Sequence, residues 1–552
     1  MPDNVVRSAS ALAGSAHADS SGGVARHGVI VAFSFPVLLA VLLAAAVFFA
    51  SPTQKKGDSL FSEGDTWWHI RTGDEILRTH QFPQTDTYSW TAAGTNWIAY
   101  EWLGDVAIAE AYRLGHLQGL RLLQWILAAI LLVLLYAYAA IRCENSKAAF
   151  AACAIVVPII AGFWSLRPQL FGYIFFLIVL IVLERFRQGR AWTIWLLPAV
   201  FAAWVNTHGT FAFGFLAIGI AWICGVRRHR FSAIESHEWT KPERLQIVLA
   251  TLASVLSLLL TPYGSKLAAY PFDIGFLQPA NVANIQEWMP ITSQRFLTLT
   301  VLALLLAFML AKILLRFSCR LDDLALLSVA ATTTFLHLRF VPLFLIVTVP
   351  LLALPLARWF SVYNPERDRP VINAALVLVL GLGVIWYFPS NSELSVSCAT
   401  YYPTAAVEHL KGAPKIGNIF NEYGWGGFLE WSHFPPKGVF IDGRADVFER
   451  AGVFSDYLSV ARLEPNALRI LDKYDIETCL IRSDSPLATL LAASPAWQLS
   501  YLDDVSAVYT RREKPSSEPV ALPPQDISPR SGRSILVHPS LLLFRLGFSK
   551  GW

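Results

Sequence analysis

Long apolar runs separated by short polar connections dominate the pattern along this chain. Stretches of about 20 residues with few charges, enough for a helix to cross roughly 30 Å of hydrocarbon, begin near Val29, Gly119, Ala148, Gln169, Ala191, Thr210, Leu245, Leu297, Asp323, Arg339 and Val371. The pattern therefore predicts about eleven spanning helices, three of them short. The first run, Val29 to Ala50, exceeds the ~7–15 apolar residues of a secretory signal and reads as a retained helix. Residues 51–118 then form a long polar connection. Within it, Trp67 to Arg78 and Glu101 to Leu114 pattern as helices too weakly striped to span, split by the turn-rich Phe82-Pro-Gln-Thr-Asp-Thr and Ala93-Gly-Thr-Asn. Two helices along the membrane surface are expected.

From about Ser395 to Arg512 the pattern becomes that of a small globular unit. Strands are expected at Ile416–Phe420, Phe428–Trp431, Val439–Asp442, Thr478–Arg482, Trp497–Leu502 and Val505–Thr510. Helices are expected at Thr404–Leu410, Pro465–Tyr474 and Pro486–Ala493, the last capped by Ser485. Such alternation predicts an α/β domain over 395–512. The Ala/Ser-rich segment 1–28 and the Pro/Ser-rich tail 513–552 read as disordered.

Composition agrees with residence in lipid. Of the 552 residues, 55% are hydrophobic and 15% charged, and the mean hydropathy is +0.46, values that exclude a soluble protein of this length. The net charge of +4 lies in short loops rather than one patch, which gives no support to a nucleic-acid partner. Arg7 and Arg26 precede the first run, and the basic segments 142–147, 184–190, 227–244, 312–320 and 358–369 fall on the same side, so the amino terminus is expected in the cytoplasm and residues 395–512 outside.

On the other side the connections carry chemistry. Ionisable groups at membrane depth are costly and tend to mark function, and Glu63, Asp65, His69, Glu101, Arg167, Asn206, His208 and Arg339 are all expected there. Each has a plainer reading. Arg167 and Arg339 suit snorkelling cations at helix ends, Asn206-Thr-His208-Gly209 suits a helix cap and turn, and Trp67, Trp68, Trp90, Trp97 and Trp102 suit an interfacial belt. What distinguishes the set is its shared side. The loop 262–296, with Tyr263, Asp273 and Gln286-Glu287-Trp288, is placed to close over it.

Elsewhere the signals are weaker. Tyr423-Gly-Trp-Gly-Gly427 lacks the setting of a nucleotide fingerprint and reads as a tight turn. Asp442 and Arg444 read as a structural ion pair, and Asp322-Asp323 as a helix N-cap. Cys398 and Cys479, on the expected exterior, fit either a disulfide or core thiols. There is no Walker loop and no zinc spacing.

The acid after the first run in Gly64-Asp65-Thr-Trp-Trp-His69, the tokens Tyr88-Ser-Trp90, Glu101-Trp102-Leu103, Arg167-Pro-Gln169 and Asn206-Thr-His208-Gly209, and the layout of spans with an external carboxy-terminal domain resemble the GT-C superfamily of integral membrane glycosyltransferases over residues 29–390. The likeness is to bacterial members related to dolichyl-phosphate-mannose mannosyltransferases and lipid A aminoarabinose transferases. It departs from the paired first-loop acids common there, since Asp65 has only Glu63 two residues back. The resemblance implies an α-helical polytopic protein of the bacterial inner membrane that transfers a sugar, with inversion, from a polyprenyl-phosphate carrier to an extracytoplasmic lipid, glycan or protein acceptor.

In that chemistry Asp65 is the expected base, with Glu101 as a second catalytic acid. Arg167 and Arg339 would meet the departing phosphate, and Glu63, Trp67, Trp68, His69, Gln169, Asn206 and His208 would line the substrate site. No cofactor is indicated, although Asp65 with Glu63 or Glu101 offers hard oxygen ligands to a divalent ion. The competing classes are a polyprenyl-lipid flippase, for which no internal repeat is evident, and a non-catalytic scaffold.

Overall fold

The computed structural model describes residues 32–50, 60–61, 63–231 and 233–512. The expected disordered segments 1–28 and 513–552 lie outside the described residues. All eleven expected apolar segments contain a helix, but they are not alike. Among the described residues five helices have the length and composition to cross a membrane: Trp102–Cys143, Ser146–Phe163, Gln169–Arg187, Arg295–Leu315 and Leu338–Leu356. Pro370–Trp386 with Asn391–Ala399, bent by 57°, makes a sixth if counted as one span. Phe35–Phe49, Ala191–Val205 and Phe211–Cys224 are apolar but shorter, while Lys241–Ser257 and Leu321–Leu336 belong to neither class. The expected count of about eleven spans is therefore not reached by this measure. Charged first turns and 3₁₀ segments shorten the regular helix within several of the runs.

Burial sorts these helices into inner and outer ones. Leu338–Leu356 is apolar all round and 83% buried, as a central helix should be, whereas Arg295–Leu315 is 17% buried. Leu299, Leu306, Leu310 and Leu314 of the latter are exposed, a contiguous apolar face of the kind that meets lipid.

Both helices expected in the first loop are present, as Asp65–Thr79 and the start of Trp102–Cys143. The second differs from expectation because it runs directly on into a span, with one non-helical residue, His116 (φ 52°, ψ −134°), at the break. Gly119 just beyond it is required by packing: a Cβ there would lie 1.9 Å from the Ala111 carbonyl oxygen.

Residues 404–511 contain a four-stranded sheet in the order Asn418–Asn421, Ile476–Arg482, Ser506–Arg511, Trp497–Leu502, with the first pair parallel and the others antiparallel. Thr404–Lys411, Ala467–Lys473 and Pro486–Ala493 are helices, and Ser485 accepts a hydrogen bond from the Ala488 amide as its position suggested. Two expected strands are not strands. Residues 428–431 lie in the helix Gly426–Trp431, whose Phe428 and Trp431 pack on Trp67. Residues 439–442 leave the sheet, and Val439 instead exchanges backbone hydrogen bonds with Tyr88 and Trp90 of the first loop (3.1 Å each).

Asp322 and Asp323 do not act as side-chain N-caps. Asp322 pairs with Arg187 and Asp323 with Arg142, each at 2.6 Å. Cys398 and Cys479 are both buried free thiols.

Candidate functional site

The helix Asp65–Thr79 starts without a side-chain cap, leaving its amino-terminal dipole facing the Asp65 carboxylate in the first turn. Thr66 donates its hydroxyl to the Leu166 carbonyl (2.9 Å), which ties this turn to the Ser165-Leu-Arg167-Pro168 corner. Pro168 then leads into the span Gln169–Arg187, so the Arg167 guanidinium is delivered to Asp65 by two backbone corners rather than by a flexible loop.

Around Arg167 three carboxylates converge. One terminal nitrogen lies 2.9 Å from Asp65 Oδ2; the other lies 3.4 Å from Glu63 Oε2 and 3.1 Å from Glu287 Oε2. Glu287 is shared: its Oε1 is 3.6 Å from Arg339 Nη1, and the Arg339 guanidinium lies 4.2 Å above the Trp288 ring. His337 Nδ1 donates to the Trp288 carbonyl (2.6 Å), holding that ring's segment against the Arg339 turn.

These groups face a cavity of about 1850 Å³. Of the residues expected at the site, Glu63, Asp65, Trp68, Glu101, Arg167, Gln169, His208 and Arg339 line it. Gln169 hydrogen-bonds Tyr173, whose hydroxyl donates to the Arg339 carbonyl (3.4 Å). The same cavity is also lined by the apolar side chains of Ile159, Phe163, Phe213, Phe296, Leu297 and Phe340.

Three expected contact residues are placed elsewhere. Trp67 is buried among Phe61, Tyr402, Phe428 and Trp431, because its side of the helix faces the carboxy-terminal unit. Asn206 accepts from Trp102 Nε1 (2.7 Å) and donates to the Ala202 and Leu260 carbonyls (2.7 and 2.9 Å), which occupies its amide in joining helix ends. His69 lies behind the cavity wall with Nδ1 2.6 Å from Asp105 Oδ1.

The electrostatics follow from this packing. Burial raises the Asp65 and Glu63 carboxyls above their ordinary range, with Arg167 opposing it. Arg167 is nearer Asp65 than Glu63, so it opposes the rise more strongly at Asp65. Glu287 is also pushed upward by burial, but Arg167 and Arg339 outweigh that and hold it at about 2. Burial takes Glu101 up to about 8 against the pull of Arg167 and Arg339. It lowers both His69 and His208, helped by Arg167. Among the described residues no group of three His, Cys, Asp or Glu is arranged to hold a metal ion. The Arg167 guanidinium sits between the carboxylates that a divalent ion would need.

Two contributors went unassigned in the sequence. Glu287 had only its neighbour Trp288 and its loop to recommend it. Gly443 had nothing: a Cβ there would lie 1.8 Å from Asp65 Oδ1, so the turn after Asp442 lies directly against the carboxylate. Tyr423 donates its hydroxyl to the Gly443 carbonyl (3.0 Å) and fixes that turn. Gly64 and Gly424 meet in the same way, since a Cβ on Gly64 would fall 2.3 Å from the Gly424 oxygen. The Tyr423-Gly-Trp-Gly-Gly427 segment is thus a close backbone contact on the amino-terminal end of the Asp65 helix.

No protein-family model and no curated protein matches the chain. Solved structures do. The archaeal oligosaccharyltransferase AglB from Archaeoglobus fulgidus, in complex with an inhibitory peptide and a dolichol-phosphate, is similar at 11% identity and a TM-score of 0.48, over 89% of this chain and 75% of that one. ArnT from Cupriavidus metallidurans bound to undecaprenyl phosphate is similar at 12% identity and a TM-score of 0.46, over 86% of this chain and 98% of that one. Both are GT-C superfamily membrane glycosyltransferases. At these scores the likeness is one of layout and says nothing about individual residues. The functional reading below stands on the geometry of the site.

Proposed function

We propose that this chain is a membrane glycosyltransferase that moves a sugar from a polyprenyl-phosphate carrier to an extracytoplasmic acceptor with inversion. The observation that carries the reading is that one cavity is lined both by the ion-paired Asp65, Arg167, Glu287 and Arg339 and by a set of apolar side chains. An amphiphile with an anionic head and a hydrocarbon tail fits such a lining.

The chemistry follows from the positions. The acceptor oxygen forms a bond to the anomeric carbon as the carbon–oxygen bond to phosphate breaks. Asp65, in its ionised form, takes the acceptor proton. Arg167 and Arg339 meet the charge that grows on the departing phosphate. Glu287 now spans these two guanidiniums, in the place where phosphate oxygens would fit, and gives way to them on binding. Trp68 borders the cavity with its ring packed on His69, and so shapes the wall next to Asp65. Glu63, the more weakly paired acid, takes up a proton more readily than Asp65 and limits the negative charge that the carrier phosphate meets.

Binding of undecaprenyl phosphate to the purified full-length protein tests the reading. Saturable binding is expected, weakened at least about tenfold in Arg167→Gln, with undecaprenol binding changed little. Absence of binding would favour the scaffold. Carrier transbilayer movement in vesicles without sugar transfer would favour the flippase.

A further inference from the structure

The carboxylate between Arg167 and Arg339 belongs to a segment that the carboxy-terminal unit holds in place. The short helix Pro279–Asn284 opens with a proline, which has no amide hydrogen, so the first free amides of its opening turn are those of Ala280 and Asn281. Gln278, the residue before it, gives them no side-chain cap, because its side-chain oxygen accepts from Asn281 Nδ2 (3.2 Å). Glu449 supplies the cap instead. Its two carboxylate oxygens accept from the Ala280 and Asn281 backbone amides at 2.9 and 2.7 Å. Two arginines of the same unit fasten the segment on either side of that cap. Arg450 pairs with Asp273, whose carboxylate also accepts from Gln278 Nε2 (3.1 Å), and Arg462 donates to the Asn284 side chain.

From Asn284 the chain reaches Glu287 directly, through Ile285, whose amide donates to the Asn281 carbonyl (3.0 Å), and the turn Gln286–Trp288. Beyond Glu287 the Met289 carbonyl accepts from the Leu338 amide (2.9 Å), and the Trp288 carbonyl accepts from His337. Glu287 thus stands on a strip anchored at one end to the carboxy-terminal unit and at the other to the Arg339 turn.

A carboxylate held in this way is an internal ligand. It lies 3.1 Å from Arg167 and 3.6 Å from Arg339, and a phosphate group arriving at the same two guanidiniums must displace it. The more firmly the strip is fixed, the less entropy is lost when Glu287 docks, and the more often the guanidiniums are already taken. Apparent affinity for an anionic ligand falls with the fraction left open.

We infer that Glu449 is a positioning residue that sets carrier affinity from the carboxy-terminal unit, by holding the strip so that the Glu287 carboxylate competes with the carrier phosphate for Arg167 and Arg339. Arg450 and Arg462 act in the same sense. None of the three has to touch the carrier. The inference rests on the reading above for the identity of the carrier, and its signature is a sign: loosening a purely structural contact weakens binding, whereas loosening this one strengthens it.

Undecaprenyl phosphate binding to the detergent-solubilised full chain tests this, with undecaprenol as the uncharged counterpart. Glu449→Ala is expected to raise affinity for the phosphate about three- to tenfold and to leave that for undecaprenol level. Glu449→Gln, whose single side-chain oxygen still accepts from one amide, should fall between it and the wild type. Glu287→Gln should raise affinity at least as far, and adding Glu449→Ala to it should change nothing more, since the competing charge has gone. An affinity that is unchanged or lower in Glu449→Ala, or that rises equally in the Glu287→Gln background, overturns the inference and leaves the carrier reading in place. Hydrogen exchange of the ligand-free protein gives a second readout. The Ala280 and Asn281 amides should exchange faster in Glu449→Gln than in the wild type, and equal exchange also overturns the inference. If none of these proteins binds undecaprenyl phosphate, the carrier reading is overturned and the effect on affinity with it, while hydrogen exchange still decides whether Glu449 holds the strip.

Discussion

Arg167 and Arg444 have the same kind of company and opposite settings. Each guanidinium is ringed by three carboxyl groups. Around Arg444 these are Asp86 (2.7 Å), Asp442 (2.6 Å) and Glu430 (3.5 Å), with the rings of Tyr88 and Trp97 at 4.8 and 4.5 Å. The Arg444 side chain is 0% exposed and that of Arg167 is 18% exposed. The difference lies in what remains available. Arg444 is closed off by aromatic rings and by Asp86, which is itself held by the Ser89 hydroxyl and amide. It clamps the carboxy-terminal unit onto the first loop and offers nothing to a ligand. Arg167 holds its three acids at the wall of a cavity, where a phosphate can exchange with them. A cluster of one arginine and three acids is a fastener when sealed and a site when it opens onto space.

Substitutions should separate the two clusters. The largest effect is expected from Asp65→Asn, which removes the proposed base and should cut sugar transfer about 10²–10⁴-fold while the melting temperature is unchanged. The assay is transfer to the acceptor found by comparing lipids and glycans of wild-type and deletion strains, and near-normal turnover would remove Asp65 from its role. Arg444→Met should do the reverse at the sealed cluster, costing about 3–5 kcal/mol of stability by stranding buried carboxylates, seen in thermal unfolding. The matching change at Arg167 should leave stability nearly intact, because water reaches its partners. If both lower stability equally, the contrast between fastener and site fails.

Gly443→Ala joins the two clusters, since it lies beside Arg444 in sequence and against Asp65 in space. Its methyl group cannot coexist with Asp65 Oδ1 as placed, so transfer should fall by up to about 10²-fold with undecaprenyl phosphate affinity preserved. The smallest effect concerns acid. Glu287 ionises at about 2 in the folded chain against an ordinary 4.5. Its contribution to stability is thus complete above about pH 4.5 and is lost as pH falls toward 2. Glu287→Gln should flatten that part of an acid-unfolding curve.

Much of the architecture was legible because it depends on local periodicity. The two first-loop helices, the apolar runs and the helix capped by Ser485 follow from spacing and end residues. Arg167, Arg339, Asp65 and His208 stood out because charge at membrane depth demands a reason. Trp67 and Trp68 could not be told apart: neighbours on a helix point in different directions, and only the partner surface decides which one meets the cavity. Glu287 was hidden because the carboxylate completing the Arg167 cluster comes from a loop far along the chain. Residues 428–431 and 439–442 were mistaken for strands for a related reason. Their apolar character serves contacts with Trp67 and Tyr88 rather than a sheet.

The bare meeting of Gly443 with Asp65 and of Gly64 with Gly424 also bears on biosynthesis. The acid appears early as the chain emerges from the ribosome, and the turns that confine it appear only after the membrane helices have been made. Until then the Arg167 pairing alone holds the carboxylate, without the backbone that later closes against it. A nascent or truncated chain would carry Glu63, Asp65, Arg167, Glu287 and Arg339 of the cavity wall and still lack the turns that hold the Asp65 carboxylate in place.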